Sequence, residues 1–310
     1  MKFLVNALHT VLGMATLCGA LPGVSKERTG PALEKRANLQ HISDFGSNPT
    51  GAKMWIYVPD SVSDNPPLVV AIHGCQKSAN YYYANTPYSS LADQYGFIVL
   101  YPGSPNTGAC WDASSQATLT RNGGGDSTSI INMLYYLLGN YGVDSTKIFV
   151  TGSSSGGIMA QTLSATYPDI FSAATVYSGV AATCFESAAG AVNAWNATCA
   201  QGNIRGTVAY WMNAAHDMYP GWTGGYPAMR LYHGSSDTTL HPPNLYEEIK
   251  QWTGLWGYSA IAQENQTDTP LPGYTTHVYG DNVQGVWAQG VGHPVPVNGD
   301  QDMEWFGLGS

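Results

Sequence analysis

The chain has 310 residues, 44% of them hydrophobic and only 11% charged, with Lys+Arg 12 against Asp+Glu 21 and a formal net charge of -9. Five of the basic groups lie within the first 36 residues, so the rest of the chain carries seven basic side chains against nineteen acidic ones. That balance excludes a basic nucleic-acid footprint and a polybasic membrane anchor, and the length suits one sizeable globular domain with a well-buried core.

Lys2 followed by the mainly apolar stretch Phe3 to Leu21, closing on Cys18-Gly19-Ala20, has the layout of a secretory signal peptide over 1–23. Asn6, His9 and Thr10 interrupt the stretch, which disfavours a transmembrane helix. The polar segment 24–36 ends in the dibasic pair Lys35-Arg36 and reads as a propeptide, leaving a catalytic domain over 37–310. A plain surface dibasic is the alternative. With no repeat, no Ser/Thr/Pro-rich linker and no appended carbohydrate-binding module in view, a soluble, extracellular monomer is expected, without membrane or nucleic-acid partners.

Beyond the signal segment, Cys75, Cys110, Cys184 and Cys199 form an even set with no Cys-x-x-Cys metal or redox spacing. Three pairings are open, and the simplest joins Cys184 to Cys199 and Cys75 to Cys110. Asn196-Ala-Thr and Asn265-Gln-Thr are glycosylation sequons, whereas Asn48-Pro-Thr is blocked by its proline.

Trp55 to Pro59 reads as an opening strand, and Leu68 to Ile72 is a continuous apolar run of the kind a strand buried on both faces needs. A short helix over Ser89 to Tyr95 and a strand over Phe97 to Tyr101 follow. Asn122-Gly-Gly-Gly lacks the Lys and Ser/Thr of a phosphate loop and reads as a turn, with Asp126 capping the next helix. Then come a strand over Ile148 to Thr151, a helix over Gly157 to Tyr167, strands over Ala173 to Tyr177 and Met229 to His233, and a helix over Asn244 to Trp256. This alternation implies a mostly parallel sheet covered by helices on both faces.

Between strand and helix lies Gly152-Ser-Ser-Ser-Gly156, a G-x-S-x-G motif with Ser154 at its centre. The context is that of a nucleophile elbow on an α/β-hydrolase fold, although a Gly/Ser cluster also suits a flexible loop. A serine hydroxyl needs a base and a group to orient that base, and on this fold they follow in the order acid, then histidine. Asp237 follows the strand ending at His233, and it also suits a plain turn. Among later histidines, His241 is too near Asp237 in sequence and His277 belongs to an alternating strand segment, Thr275 to Tyr279. His293, in Gly290-Val-Gly-His-Pro, is the best base. The backbone N–H groups of Ser155 and of Cys75, in the loop after Leu68 to Ile72, are the expected oxyanion donors. Trp111 and Trp195 are candidates for substrate binding, stacking on a sugar ring or lining the acyl pocket. No metal or organic cofactor is required.

The segments Ile72-His-Gly-Cys, Ala109-Cys-Trp-Asp, Ser114 to Leu119, Asn122-Gly-Gly-Gly, Val150 to Gly156, Leu231-Tyr-His-Gly-Ser-Ser-Asp-Thr-Thr, Gly290-Val-Gly-His and Met303 to Leu308 together resemble fungal acetyl xylan esterases of carbohydrate esterase family 1. That superfamily also holds feruloyl esterases and polyhydroxybutyrate depolymerase-like esterases. The resemblance spans about Leu39 to Leu308 and implies a secreted deacetylase of acetylated xylan, with Ser154, Asp237 and His293 as triad and Cys75 and Ser155 as oxyanion donors. Gly74 departs from it, since relatives often carry a bulkier residue there, which leaves the size of the acyl pocket open. A feruloyl esterase, a polyester depolymerase and a non-catalytic wall-binding protein are the competing readings.

Overall fold

The computed structural model describes residues 36–309, so the expected signal segment and all of the expected propeptide except Arg36 fall outside the described residues. The chain runs β1 (Arg36–Ile42), β2 (Lys53–Val58), β3 (Leu68–Ile72), α1 (Ala79–Asn85), α2 (Tyr88–Tyr95), β4 (Ile98–Gly103), α3 (Gln116–Leu119), α4 (Asp126–Asn140), β5 (Ile148–Ser153) and α5 (Ser155–Thr166). It continues through β6 (Ala173–Tyr177), α6 (Ala197–Ala200), α7 (Val208–Met218), β7 (Ala228–Gly234), α8 (Asn244–Trp256), β8 (Glu264–Thr267), β9 (Tyr274–Gly280), β10 (Val283–Ala288) and α9 (Gly299–Trp305).

The ten strands of the described residues form one sheet in the order β1-β2-β4-β3-β5-β6-β7-β10-β9-β8. From β4 to β10 every neighbouring pair is parallel, and both margins are antiparallel. The parallel centre follows from the apolar runs. Every residue of β3, β4, β5 and β6 is buried, which only a sheet with both faces covered permits.

The pleat sorts these side chains into two cores. Leu68, Val70 and Ile72 face a layer that includes Ile130 and Leu134 of α4, Met159 and Leu163 of α5, and Ile249 and Trp252 of α8. Val69 and Ala71 face the other side, with Tyr82 of α1, Tyr88 and Leu91 of α2 and Met303 of α9.

One expected cap is corrected. Gly125, not Asp126, occupies the N-cap of α4, and its side-chain-free position makes no cap hydrogen bond. The Asp126 carboxylate is turned instead to the Asp112 backbone N–H at 3.0 Å and the Asn106 amide at 2.8 Å. It therefore ties the start of α4 to the loop after β4.

Under the sheet, Asp302 of α9 is fully buried and accepts 2.6 Å hydrogen bonds from the Tyr88 and Tyr177 hydroxyls. Burial pushes its carboxyl up to about 7, outweighing the hydroxyl donors that pull the other way. An acid raised in the folded state contributes stability that is complete below its unfolded pKa near 3.8 and is lost as pH rises through about 7. Melting curves should show wild-type stability falling relative to Asp302→Asn between pH 4 and 7, by at most about 4 kcal/mol. Parallel pH profiles for the two proteins would rule this out.

Candidate active site

Ser154 sits between the last residue of β5 and the first of α5 with φ 57 and ψ -123, a left-handed-side conformation costly for any residue with a Cβ. The glycines of the motif make this turn possible. A Cβ on Gly152 would lie 2.2 Å from the Gly156 carbonyl oxygen, and one on Gly156 would lie 2.1 Å from that of Ile72. Backbone bonds pin the turn on both sides: Ser154 N–H donates to the Tyr177 carbonyl, and the Ser154 carbonyl accepts from Ile158, each at 2.9 Å.

Strands β7 and β10 are parallel neighbours, so the loops leaving their carboxyl ends emerge side by side. These loops are stitched together by Ser235 N–H to Ala288 O and Ser236 N–H to Val291 O, both 2.9 Å, and by Gly290 N–H to the Ser235 hydroxyl at 2.7 Å. The stitching brings Asp237 and His293 together. His293 Nδ1 lies 2.7 Å from Asp237 Oδ2, and its Nε2 lies 2.8 Å from Ser154 Oγ. Because ionised Asp237 can only accept, Nδ1 carries the ring proton and Nε2 faces the serine as an acceptor. Oδ1 of Asp237 accepts from the Thr239 and Leu240 backbone N–H groups, each at 2.9 Å. Burial alone would raise this carboxyl, but the His293 hydrogen bond and charge hold it below the usual carboxylate range.

His277 lies on β9 against Asn265, and the His241 backbone N–H bonds to Ala200, so neither adjoins Ser154. Ser155 is the first residue of α5, where N–H groups have no intrahelical acceptor and the helix dipole favours negative charge. Cys75 borders the same cleft as Ser154 and Ser155. Its peptide is fixed from behind. His73, buried, donates from Nδ1 to the Gly74 carbonyl at 2.8 Å and accepts at Nε2 from Ser104 N–H at 3.2 Å. The Gly74 carbonyl and the Cys75 N–H belong to one planar peptide, so holding the first orients the second. Burial depresses His73 basicity, consistent with this neutral tautomer.

The disulfides are Cys75–Cys110 and Cys184–Cys199, closing sequence separations of 35 and 15. The first anchors the Cys75 loop, and the second encloses Trp195. A second anchor, Asp112, has no counterpart in the sequence reading. Its carboxylate accepts from Ser114 N–H at 3.0 Å, Thr118 Oγ1 at 2.7 Å and Asn193 N–H at 2.9 Å, and from the Ser115 hydroxyl. Burial opposes its ionisation, yet these donors hold it below the ordinary range. Asp112 thus joins the loop bearing Trp111 to the one bearing Trp195.

A cleft of about 450 Å³ opens over Ser154 and His293, walled by Trp111, Ile158, Phe185, Trp195 and Leu240. The two tryptophans differ. Trp195 is 61% exposed and stands edge-on to Phe185, whereas Trp111 is 2% exposed and donates from Nε1 to the His73 carbonyl at 2.9 Å. Trp111 is therefore a fixed wall with no open face for a sugar ring, and only Trp195 offers such a face. A second cleft, about 510 Å³, meets the first at Cys75, Ser154 and His293 and passes Gly74, Tyr82 and Val295. A side chain at Gly74 would put its Cβ 3.0 Å from Ser153 O and 3.2 Å from Ser154 Cβ, so the missing side chain lets this loop approach the elbow.

Of the sequons, Asn265 is exposed on β8, while Asn196 is partly buried with its amide engaged, capping Cys199 N–H at 3.1 Å. Among the described residues no group of His, Cys, Asp and Glu is arranged to hold a metal ion, and no helix is long and apolar enough to cross a membrane.

The family model described as esterase PHB depolymerase matches residues 53–266. Acetylxylan esterase A of Aspergillus ficuum is 54% identical over 276 residues, covering 89% of this chain and 91% of the relative. Acetylxylan esterase A of Talaromyces purpureogenus is 51% identical over 290 residues, covering 92% and 76%. Among solved structures, the acetyl xylan esterase from Aspergillus awamori aligns with a TM-score of 0.86 at 53% identity, over 87% of this chain and 99% of that one.

Proposed function

Because the chain belongs to the esterase PHB depolymerase family and, within it, to the fungal acetylxylan esterases, we propose that this carboxylic ester hydrolase is secreted and removes acetyl groups from acetylated xylan. The observation that carries the chemistry is the unbroken hydrogen-bond series from Asp237 through His293 to Ser154. In this reading His293 Nε2 takes the Ser154 proton as Oγ attacks the ester carbonyl, and Asp237 stabilises the imidazolium that forms. The backbone N–H groups of Cys75 and Ser155 receive the oxyanion, and the electropositive end of α5 adds to their effect. The sugar hydroxyl leaves with the proton from His293. Water, deprotonated by the same ring, then releases acetate from the acyl-enzyme.

Residues 1–23 would direct export and 24–36 would be removed afterwards, with Asn265 the better placed of the two sequons for a glycan. The mature enzyme would act as a monomer. Low charge and an exposed Trp195 suit a neutral polysaccharide, met by stacking and hydrogen bonds. A panel of acetylated xylan, methyl ferulate, short p-nitrophenyl esters and a hydroxyalkanoate film tests the assignment. Acetate release from xylan should dominate. Faster hydrolysis of methyl ferulate or of the film would overturn the proposed specificity, and polysaccharide binding without any hydrolysis would overturn catalysis itself.

Trp195→Ala should raise KM for acetylated xylan about fivefold more than KM for p-nitrophenyl acetate, since an aromatic contact is worth about 1 kcal/mol. Equal effects on both substrates would remove Trp195 from sugar binding.

A further inference from the structure

Behind the Asp237 loop lies a second ionisable pair that the ester-hydrolysis scheme does not use. His233, at the carboxyl end of β7, and Glu248, on α8, are both fully buried. His233 Nε2 is 2.8 Å from the Leu240 carbonyl, which can only accept, so Nε2 carries a proton. The same nitrogen is 3.6 Å from Asp237 Oδ2, the oxygen that faces His293. On its other side, His233 Nδ1 lies 3.8 Å from Glu248 Oε2, and among the described residues neither atom has a hydrogen-bond partner. Glu248 Oε1 accepts from the Gln161 amide at 2.5 Å.

A bare Nδ1 facing an ionised Oε2 would set two buried acceptors against each other with nothing between them, an arrangement that costs the desolvation of both. One proton between them resolves the conflict. With Asp237 on one side and Glu248 on the other, that proton belongs on the ring, which becomes an imidazolium between two carboxylates. We propose that His233, kept protonated by Glu248, is a positioning residue that places a fixed positive charge behind Asp237 and holds its loop through the Leu240 carbonyl. The geometry is reinforced by reciprocity: Leu240 donates its own N–H to Asp237 Oδ1 while its carbonyl receives the His233 proton.

The charged or titratable groups facing this unit are Asp237 from the loop after β7, Glu248 from α8 and, across Asp237, His293. Burial would lower His233 basicity, but Glu248 and Asp237 together carry it above the ordinary histidine value. Glu248 itself is raised by burial, with His233 opposing the rise. A positive charge behind Asp237 offsets part of the carboxylate's negative field at the His293 ring.

This inference rests on the assignment of Asp237 and His293 as catalytic. Glu248→Gln keeps the shape and the Gln161 contact but no longer sustains a cation at His233. Its kcat/KM profile should shift its acid limb upward by about half a pH unit, roughly a threefold loss on that limb, with KM little changed. Glu248→Asp should restore part of the shift. A Glu248→Gln profile that superimposes on wild type would overturn the proposal. Should that variant not fold, nitrogen NMR of the histidine side chains in the wild-type enzyme decides: both His233 nitrogens protonated at pH 7 is expected, and a neutral ring overturns it. Ser154→Ala, assayed alongside, separates the two levels. Activity surviving in that variant defeats the catalytic assignment, whereas an inactive Ser154→Ala with an unshifted Glu248→Gln profile defeats only the role of His233.

Discussion

Replacing Ser154 by alanine is expected to lower kcat on p-nitrophenyl acetate by about 10⁴-fold or more, leaving the fold and the melting temperature close to wild type. The hydroxyl is the one group that can form the acyl bond, while the neighbouring N–H groups and the cleft survive its removal. A residual rate from the oxyanion donors alone is consistent with this. A serine-directed phosphonate should label Ser154 in the wild-type chain and nothing in the variant. Retention of more than about one percent of the activity by a folded Ser154→Ala protein would refute the mechanism.

Gly156→Ala should be among the most damaging of the conservative glycine changes for stability. The new Cβ would lie 2.1 Å from the Ile72 carbonyl oxygen and 2.6 Å from that of His73, both backbone atoms at the end of a fully buried central strand. Relief requires moving either β3 or the elbow, and a loss of about 3 kcal/mol or more is expected, a drop in melting temperature of roughly 10 °C. Activity should fall with it, because β3 leads into the Cys75 loop and the elbow carries Ser154. Gly139→Ala provides the contrast. Gly139 lies in α4 with nothing within 4 Å of its added Cβ, so the same chemical change should stabilise by about 0.5 to 1 kcal/mol. Thermal melts of the two variants, showing opposite signs, would test the close approach directly.

The parallel centre of the sheet was legible because its strands are continuous apolar runs, and β3, β5 and β6 fall where those runs do. Its two outermost strands were not, although β2 and β9 just inside them were read as strand segments. β8 reads Glu-Asn-Gln-Thr, with no hydrophobic period at all, and β1 begins at the residue taken as a processing boundary. Helix α7 carried a usable signal that went unread: Thr207 caps it through Tyr210 N–H, and Trp211, Ala215 and Met218 recur at helical spacing. Helix α1 is harder, since three consecutive tyrosines mask the Ser78 cap and the Ala79–Tyr82 buried edge. At the site, chain order and loop placement singled out Ser154, Asp237 and His293, because the elbow is local and its partners follow strand ends. Asp112 and the His233–Glu248 pair escaped notice. Each acts through contacts between distant segments: Asp112 gathers donors from residues 114 to 193, and Glu248 reaches His233 only because α8 folds back along β7.

The polar margin has a meaning for how the protein behaves when concentrated. An open sheet edge offers a row of unpaired amides to any passing chain, and long apolar edges lead to intermolecular pairing. On the β8 side this sheet ends in four residues, three of them exposed, with Glu264 at the start of the row. A second copy would find about 13 Å of ladder to grip and a carboxylate to bury in doing so. That side of the molecule is therefore a poor template for edge-to-edge pairing between copies.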